Sequence, residues 1–314
     1  MVGDVTLYVL FLAGGVLALY AGAELLVAGA GRLALGLGLR AATVGVTVIA
    51  FATTAPELFV AVLGALDVSG DIGLGTIVGS NVANVGLVLG IAALIRPLEI
   101  SQTVLRRHVP FMVLAAVLLL VLGLDGTIGR LEGVVFLAVL AAFTGYLLYY
   151  VNADPAPQTD VAESGRDVSA VDLALVVGGL VALVIGSRWL ITGGRGLLAA
   201  MGFSDLFIGL TVLAVGTSLP ELAASVVGAI RGETGFSVGN VVGSNIYNVL
   251  AVLGIVALIV PISVSASTLR FELPAMVVFT LVLTAMMIHG EVLSRVDGAI
   301  LVIGYVVFMY LLFP

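Results

Sequence analysis

Residues 43–97 return 164 positions later, at 207–261, without a gap and with 26 identities in 55 pairs. GVTVIAFATTAPELFVAVLGA (45–65) faces GLTVLAVGTSLPELAASVVGA (209–229), and GTIVGSNVANVGLVLGIAALIRP (75–97) faces GNVVGSNIYNVLAVLGIVALIVP (239–261). Chance likeness between two apolar helices accounts for Gly, Ala, Val and Leu in register. It does not account for Pro, Glu, Ser and Asn. The same offset aligns Arg106 with Arg270 and Pro110 with Pro274 farther out. The chain is therefore two copies of one unit, and its fold must house both.

The medium of that fold follows from composition. Of 314 residues, 61% are hydrophobic and 10% charged, and the mean hydropathy is +1.28. That is about 190 apolar residues, where a bilayer crossing needs roughly 20, and no single soluble core hides such an excess. Apolar runs bounded by Gly, Pro and charge fall at 5–28, 41–66, 72–95, 109–124, 133–151, 170–202, 207–230, 236–260, 273–289 and 296–313. They predict an all-α polytopic membrane protein with ten transmembrane helices. The one long polar stretch, Asn152 to Val168, holds Asp154, Asp160, Glu163 and Asp167 against Arg166. It reads as a solvated linker, dividing the chain into a first five-helix repeat (1–151), an acidic linker (152–169) and a second five-helix repeat (170–314).

An odd number of helices per repeat makes the second copy enter the membrane from the opposite side. The expected architecture is thus an inverted-topology repeat, a plan common among secondary transporters. Short cytoplasmic loops are enriched in basic residues. With the N-terminus outside, Arg32, Arg40, Arg96, Arg106, Arg107, Arg166, Arg231 and Arg295 fall inside, while Arg130, Arg195 and Arg270 fall outside. Both termini are expected outside and the linker in the cytoplasm of a multi-pass cell-membrane protein. The first residues carry Asp4 and no basic residue before the apolar run, unlike the start of a cleaved secretory signal, so the N-terminus is expected to be retained.

Exclusions follow as well. No cysteine is present, which removes disulfides, zinc–cysteine sites, thiolate catalysis and iron–sulfur clusters. All twelve basic residues are Arg, and acids outnumber them by 19 to 12, for a net charge of −7. With no basic cluster, nucleic acid is not an expected partner.

The repeated polar residues carry the chemistry. A charge near the bilayer centre costs at least about 2.5–3.5 kcal/mol, so an intramembrane carboxylate is a functional candidate by default. Glu57 and Glu221 are such residues, one per repeat. Each lies four after a hydroxyl, Thr53 or Thr217, and so shares its helix face; Thr54 and Ser218 add further oxygens. Pro56 and Pro220, just before the acids, lack the N–H that would close onto the carbonyl four residues back. Carbonyls around Ala52 and Gly216 are left free to line a cavity. Neighbouring helices repeat the scheme with Ser80 and Asn84, matched by Ser244 and Asn248, and Gly79 and Gly243 permit close helix approach. Carboxylates, hydroxyls, amides and carbonyls, with no nitrogen or sulfur ligand, form a donor set for a hard cation such as calcium or sodium; magnesium demands a stricter octahedron.

At these residues the chain resembles the sodium/calcium exchangers of the cation/calcium exchanger superfamily. The [AG]T[TS]xPE stretch followed by GSNxxN, present twice, is similar to the alpha-repeat signature of that family. The resemblance implies an antiporter in which sodium entry drives calcium export, with four helices enclosing the ions near mid-membrane and no cofactor. It carries ion-binding roles to Thr53, Thr54, Glu57, Ser80 and Asn84, and to Thr217, Ser218, Glu221, Ser244 and Asn248, with backbone carbonyls at Ala50 and Ala214. Ala52 and Thr76 depart from the Gly and Asn of the second copy. Asparagine at both 84 and 248, where potassium-dependent relatives place an aspartate, points to potassium-independent exchange. Two ionisable groups are balanced by one calcium or two sodium ions, so a third sodium makes exchange electrogenic. A calcium/proton or other divalent exchanger is the alternative within the class, and a cation channel the alternative outside it; an intramembrane hydrolase lacks the usual His or Asp pair. The protein is expected to be no enzyme and to function as a monomer in the lipid bilayer.

Four further expectations concern isolated residues. Glu24 and Arg188 are also 164 apart and are candidates for an ion pair at the repeat interface. His108 and His289 fall at expected helix ends and read as interfacial, and Trp189, Tyr149 and Tyr150 suit aromatic belts. The long first helix of each repeat carries no site oxygen and many small residues, which suits a gate that slides against the core.

Overall fold

The computed structural model describes residues 2–36, 45–54, 57–58, 61, 70–153, 168–201 and 218–312. Among them the helical elements are α1 (Val2–Gly36), α2 (π-helical Gly45–Ile49 running into Ala50–Thr53), α3 (Gly70–Ala83, π-helical Asn84–Leu89, Gly90–Ile95), α4 (π-helical Val104–His108, then Val109–Leu122) and α5 (Arg130–Ala153). The second half gives α6 (Ala170–Ala200), α7 (Leu219–Arg231), α8 (Thr234–Tyr247, π-helical Asn248–Leu253, Gly254–Ile259), α9 (π-helical Thr268–Glu272, then Leu273–His289) and α10 (Arg295–Leu312). All except α2 and α7 contain a segment long and apolar enough to cross a membrane, eight in total among the described residues. The protein is an integral membrane protein of all-helical architecture. The acidic linker falls mostly outside the described residues.

The 164 offset survives into local structure. Every boundary in α3, including both ends of its π-helical segment, lies 164 before the matching boundary in α8. The π turns that open α4 and α9 match in the same way. Each of these last two precedes a proline, Pro110 or Pro274, whose missing N–H cannot close an α-helical bond; a wider turn absorbs the gap.

Four short strands tie the halves together. β1 (Leu98–Glu99), after α3, pairs antiparallel with β4 (Val292–Leu293), before α10. β2 (Thr127–Ile128), before α5, pairs with β3 (Ile262–Ser263), after α8. Because α4 separates β1 from β2, the two clasps sit at opposite ends of the bundle, and each joins one copy of the unit to the other.

Helix ends are closed by local polar groups. Gly232, with φ of +85°, ends α7: its N–H bonds Ala229 O, and Glu233 N–H bonds Gly228 O, the paired closure that favours glycine. The turn into α8 is therefore two residues long. Ser169 with Asp172 at α6 and Ser294 with Asp297 at α10 exchange side-chain and backbone bonds of 2.6–3.3 Å as capping boxes. Arginines cap the other ends: Arg96 Nη1 donates to Ile230 O at 3.5 Å, and Arg295 Nη2 to Ile95 O at 3.4 Å, where helix C-termini attract cations.

α1 and α6 pack antiparallel along their length. A Cβ on Gly22 would stand 2.8 Å from Gly179 O, and one on Gly186 2.8 Å from Leu19 N. Glycines at a spacing of seven, Gly15, Gly22 and Gly29 against Gly179, Gly186 and Gly193, let the two backbones meet. At about 1.5 Å per residue, α1 runs to roughly 52 Å, well beyond a hydrocarbon core of about 30 Å.

Two expectations are corrected. Glu24 pairs with Arg231, Oε2 to Nη1 at 3.3 Å, and Arg231 also donates to the Glu24 carbonyl. Arg188 is not its partner, because α1 meets α6 in antiparallel register and brings Glu24 opposite a residue well before 188. His108 is fully buried against the edge of Phe143, with ring centroids 6.2 Å apart. α4 begins about one turn before the apolar run that opens at 109, capped by Ser101 Oγ on Val104 N–H, and that turn carries His108 inward. His289, Trp189 and Tyr149 are exposed.

Candidate functional site

α2, α3, α7 and α8 meet at the centre of the protein. α8 approaches α2 most closely at Gly243, where a Cβ would lie 2.5 Å from Val46 O and from Ala50 Cβ. Only glycine permits that contact, and it sets Thr53 against α8.

α2 ends on Thr53, and Thr54 and Glu57 lie just beyond it, all at most 3% exposed. Thr54 N–H bonds Ala50 O and Leu58 N–H bonds Thr54 O, both at helical spacing. The Ala50 carbonyl also accepts from Thr53 Oγ1 at 3.3 Å. Ser218 is the N-cap of α7, and Pro220 stands in its first turn, where a missing N–H costs nothing. Glu221 occupies the same turn, at the positive end of the helix dipole. Ala214 and Thr217 lie outside the described residues, as does Pro56.

Ser80 and Ser244 are buried one turn before the π-helical segments, which open on Asn84 and Asn248. A π turn widens the helix and loosens its carbonyl ladder, a feature frequent at functional sites. Both asparagines are 1% exposed.

Glu57 and Glu221, each 1% exposed, lie close enough to repel one another. Glu221 sits beside the Thr53 hydroxyl without meeting hydrogen-bond geometry on either oxygen, and Glu57 Oε2 is equally unpartnered. So are Thr54 Oγ1, Ser218 Oγ, Ser244 Oγ and the amide oxygens of Asn84 and Asn248. Buried polar atoms are normally paired. These orphaned atoms are all oxygens, carboxylate, hydroxyl and amide, a donor set made for a hard cation. The groups of three or more His, Cys, Asp or Glu that mark a permanent metal centre are absent among the described residues.

Polar residues behind this set went unread in the sequence. Asn240 Nδ2 donates to Ser225 Oγ at 3.1 Å, Ser237 Oγ donates to Ser225 O at 2.7 Å, and Thr53 Oγ1 reaches Asn240 Oδ1 at 3.5 Å. The first copy holds Ala61, Gly73 and Thr76 at the corresponding positions. Polar residues on apolar helices that break the repeat were the available signal. Asn81 and Asn245 are identical across the offset, and both are buried: Asn84 Nδ2 donates to Asn245 Oδ1 at 3.2 Å, and Asn245 Nδ2 to Asn81 O at 3.3 Å.

Comparison with known proteins agrees with this picture. The family described as sodium/calcium exchanger protein matches twice, over residues 7–149 and 171–313. The chain is 34% identical over 281 residues to the putative antiporter CaxA of Alkalimonas amylolytica, covering 86% of this chain and 87% of that protein. It is 30% identical over 316 residues to the sodium/calcium exchanger MaX1 of Methanosarcina acetivorans, covering 86% and 88%. The solved structure of the sodium-calcium exchanger NCX_Mj superposes with a TM-score of 0.85 at 27% identity, covering 98% of both chains.

Proposed function

The chain belongs to the sodium/calcium exchanger family, and from that membership we propose that it exchanges sodium for calcium across the cell membrane by alternating access. It is a membrane transporter of the cation/calcium antiport class, not an enzyme. One observation carries the finer reading: two buried carboxylates close enough to repel one another leave three of their four oxygens without a partner in the protein, alongside unpartnered hydroxyl and amide oxygens.

Two neighbouring buried carboxylates cannot stay charged and empty in a low-dielectric interior without a cost of several kcal/mol. One calcium ion balances them, and so do two sodium ions. Either cargo lets the loaded site reorient; the empty site is held back. Exchange is thereby favoured over leak. A third sodium would leave one positive charge, so calcium export coupled to three sodium ions carries current. The ligands in this reading are Thr53, Thr54, Glu57, Ser80 and Asn84 with Thr217, Ser218, Glu221, Ser244 and Asn248, and the carbonyls of Ala50 and Ala214. Ala50 O already accepts two hydrogen bonds and reaches an ion once the Thr53 hydroxyl turns away. Asparagine rather than aspartate stands at both 84 and 248, which supports potassium-independent exchange.

The frame of this mechanism is ten helices in two inverted repeats, 1–151 and 170–314, with both termini outside and the linker at 152–169 in the cytoplasm, working as a monomer. The glycine-lined contact of α1 with α6 suits a pair that slides as a gate. Proteoliposomes test the assignment: sodium-loaded vesicles carrying Glu57→Gln or Glu221→Gln should lose calcium uptake, and full uptake by either variant would sink the reading.

A further inference from the structure

A side-chain amide is chemically two-faced. Its oxygen can coordinate a cation and its NH2 group repels one, so an asparagine ligand works only if something fixes which end faces the ion. For Asn84 that something is on the other repeat. We propose that Asn245 is a positioning residue that locks the amide of Asn84 with its oxygen toward the cation site.

The geometry has three parts. Asn84 Nδ2 is occupied, donating to Asn245 Oδ1 at 3.2 Å, while Asn84 Oδ1 has no partner in the protein. Asn245 is itself prevented from flipping, since its Nδ2 donates to the Asn81 carbonyl at 3.3 Å; a flipped Asn245 would set its oxygen against a carbonyl oxygen and its NH2 against that of Asn84. All the groups involved are buried, Asn84 at 1% and Asn245 at 4% exposure, so water does not compete for the bond. The anchor of the chain, a backbone carbonyl of α3, is the one member that cannot rotate.

The lock is one-sided in this structure. Asn81 stands 164 before Asn245, but its Nδ2 meets Met276 Sδ at 3.7 Å rather than an amide. Asn248, the repeat equivalent of Asn84, is thus not held in the same way, and the two half-sites differ although the residues are the same. The inference rests on Asn84 being an ion ligand, as proposed above.

A carboxylate offers an oxygen whichever way it turns, so aspartate at 84 has no need of the lock. The test is calcium binding to the purified full-length protein in detergent, followed calorimetrically, for Asn245→Leu in the wild-type and the Asn84→Asp backgrounds. An amide turned the wrong way forfeits one oxygen ligand, on the order of a tenfold loss of calcium affinity. Asn245→Leu should show that loss in the wild-type background and change affinity by less than about twofold in the Asn84→Asp background, the signature of two residues acting as one unit. Equal losses in both backgrounds would overturn the positioning role alone. Asn84→Ala with unaltered calcium affinity would overturn the ligand assignment, and the lock with it. Asn245→Ser, read in the same pair of backgrounds, decides the matter should the leucine variant not fold.

Discussion

A carboxylate at 1% exposure with an unpartnered oxygen is costly in any protein, and Glu57 and Glu221 present two that lie close enough to repel one another. Replacing either by Gln removes the charge while keeping shape. Removing one partner of a buried charge pair typically costs 2–5 kcal/mol, so calcium affinity should fall on the order of 100-fold, measured by calorimetry on the purified variants. Gly243 is tested separately. A methyl group there would sit 2.5 Å from Val46 O and Ala50 Cβ, forcing α2 from α8 at about 1–3 kcal/mol of stability. Gly243→Ala should lower the thermal midpoint and slow calcium uptake together. The glutamates were legible because charge is rare in a membrane span and because both recur at the 164 offset. Asn240, Ser225 and Ser237 were not: an amide or hydroxyl on an apolar helix declares no partner until the neighbouring helix is in place. His108 was misplaced for a similar reason, since the apolar run opening at 109 marked a helix start that Ser101 in fact sets a turn earlier.

At the scale of elements, the contact of α1 with α6 is a backbone-to-backbone seam. Gly22 admits no side chain, because its Cβ position falls 2.8 Å from both Gly179 O and Leu183 N. Gly22→Val should therefore destabilise by about 1–3 kcal/mol and slow exchange, whereas Gly178→Ala, on the exposed face of α6 with nothing within 4 Å, should change neither. Thermal unfolding in detergent and flux in vesicles read the two effects. This seam was written in the sequence as glycines seven apart. It was hidden there among 40 glycines, since only the antiparallel register shows which of them face a partner. The π-helical segments at Asn84 and Asn248 had no sequence signal beyond the identity of the residues that open them, because a one-residue widening leaves the hydrophobic pattern intact.

For the molecule as a whole, the repeat and the apolar runs foretold an all-helical membrane protein of two similar halves. They did not foretell how thoroughly the halves interlock, with β1 clasping β4 at one end and β2 clasping β3 at the other; pairs of two residues are too short to carry a strand signal. Orientation is open to direct measurement, since the chain has no cysteine and any cysteine introduced is unique. Thr159→Cys in the linker should react with a membrane-impermeant maleimide only from the cytoplasmic face, and Thr127→Cys only from outside. The reverse pattern would invert the topology without touching the site.

The central claim is that one pair of carboxylates serves calcium and sodium in turn, so that the gradient of one drives the other. The direct measurement is radioactive calcium uptake into wild-type proteoliposomes at equal internal and external pH, comparing vesicles loaded with sodium against vesicles loaded with choline. Uptake should appear in the sodium-loaded vesicles and be absent from the choline-loaded ones, even when a pH gradient is then imposed on the latter. Equal uptake in both, or uptake in choline driven by the pH gradient alone, would contradict the account.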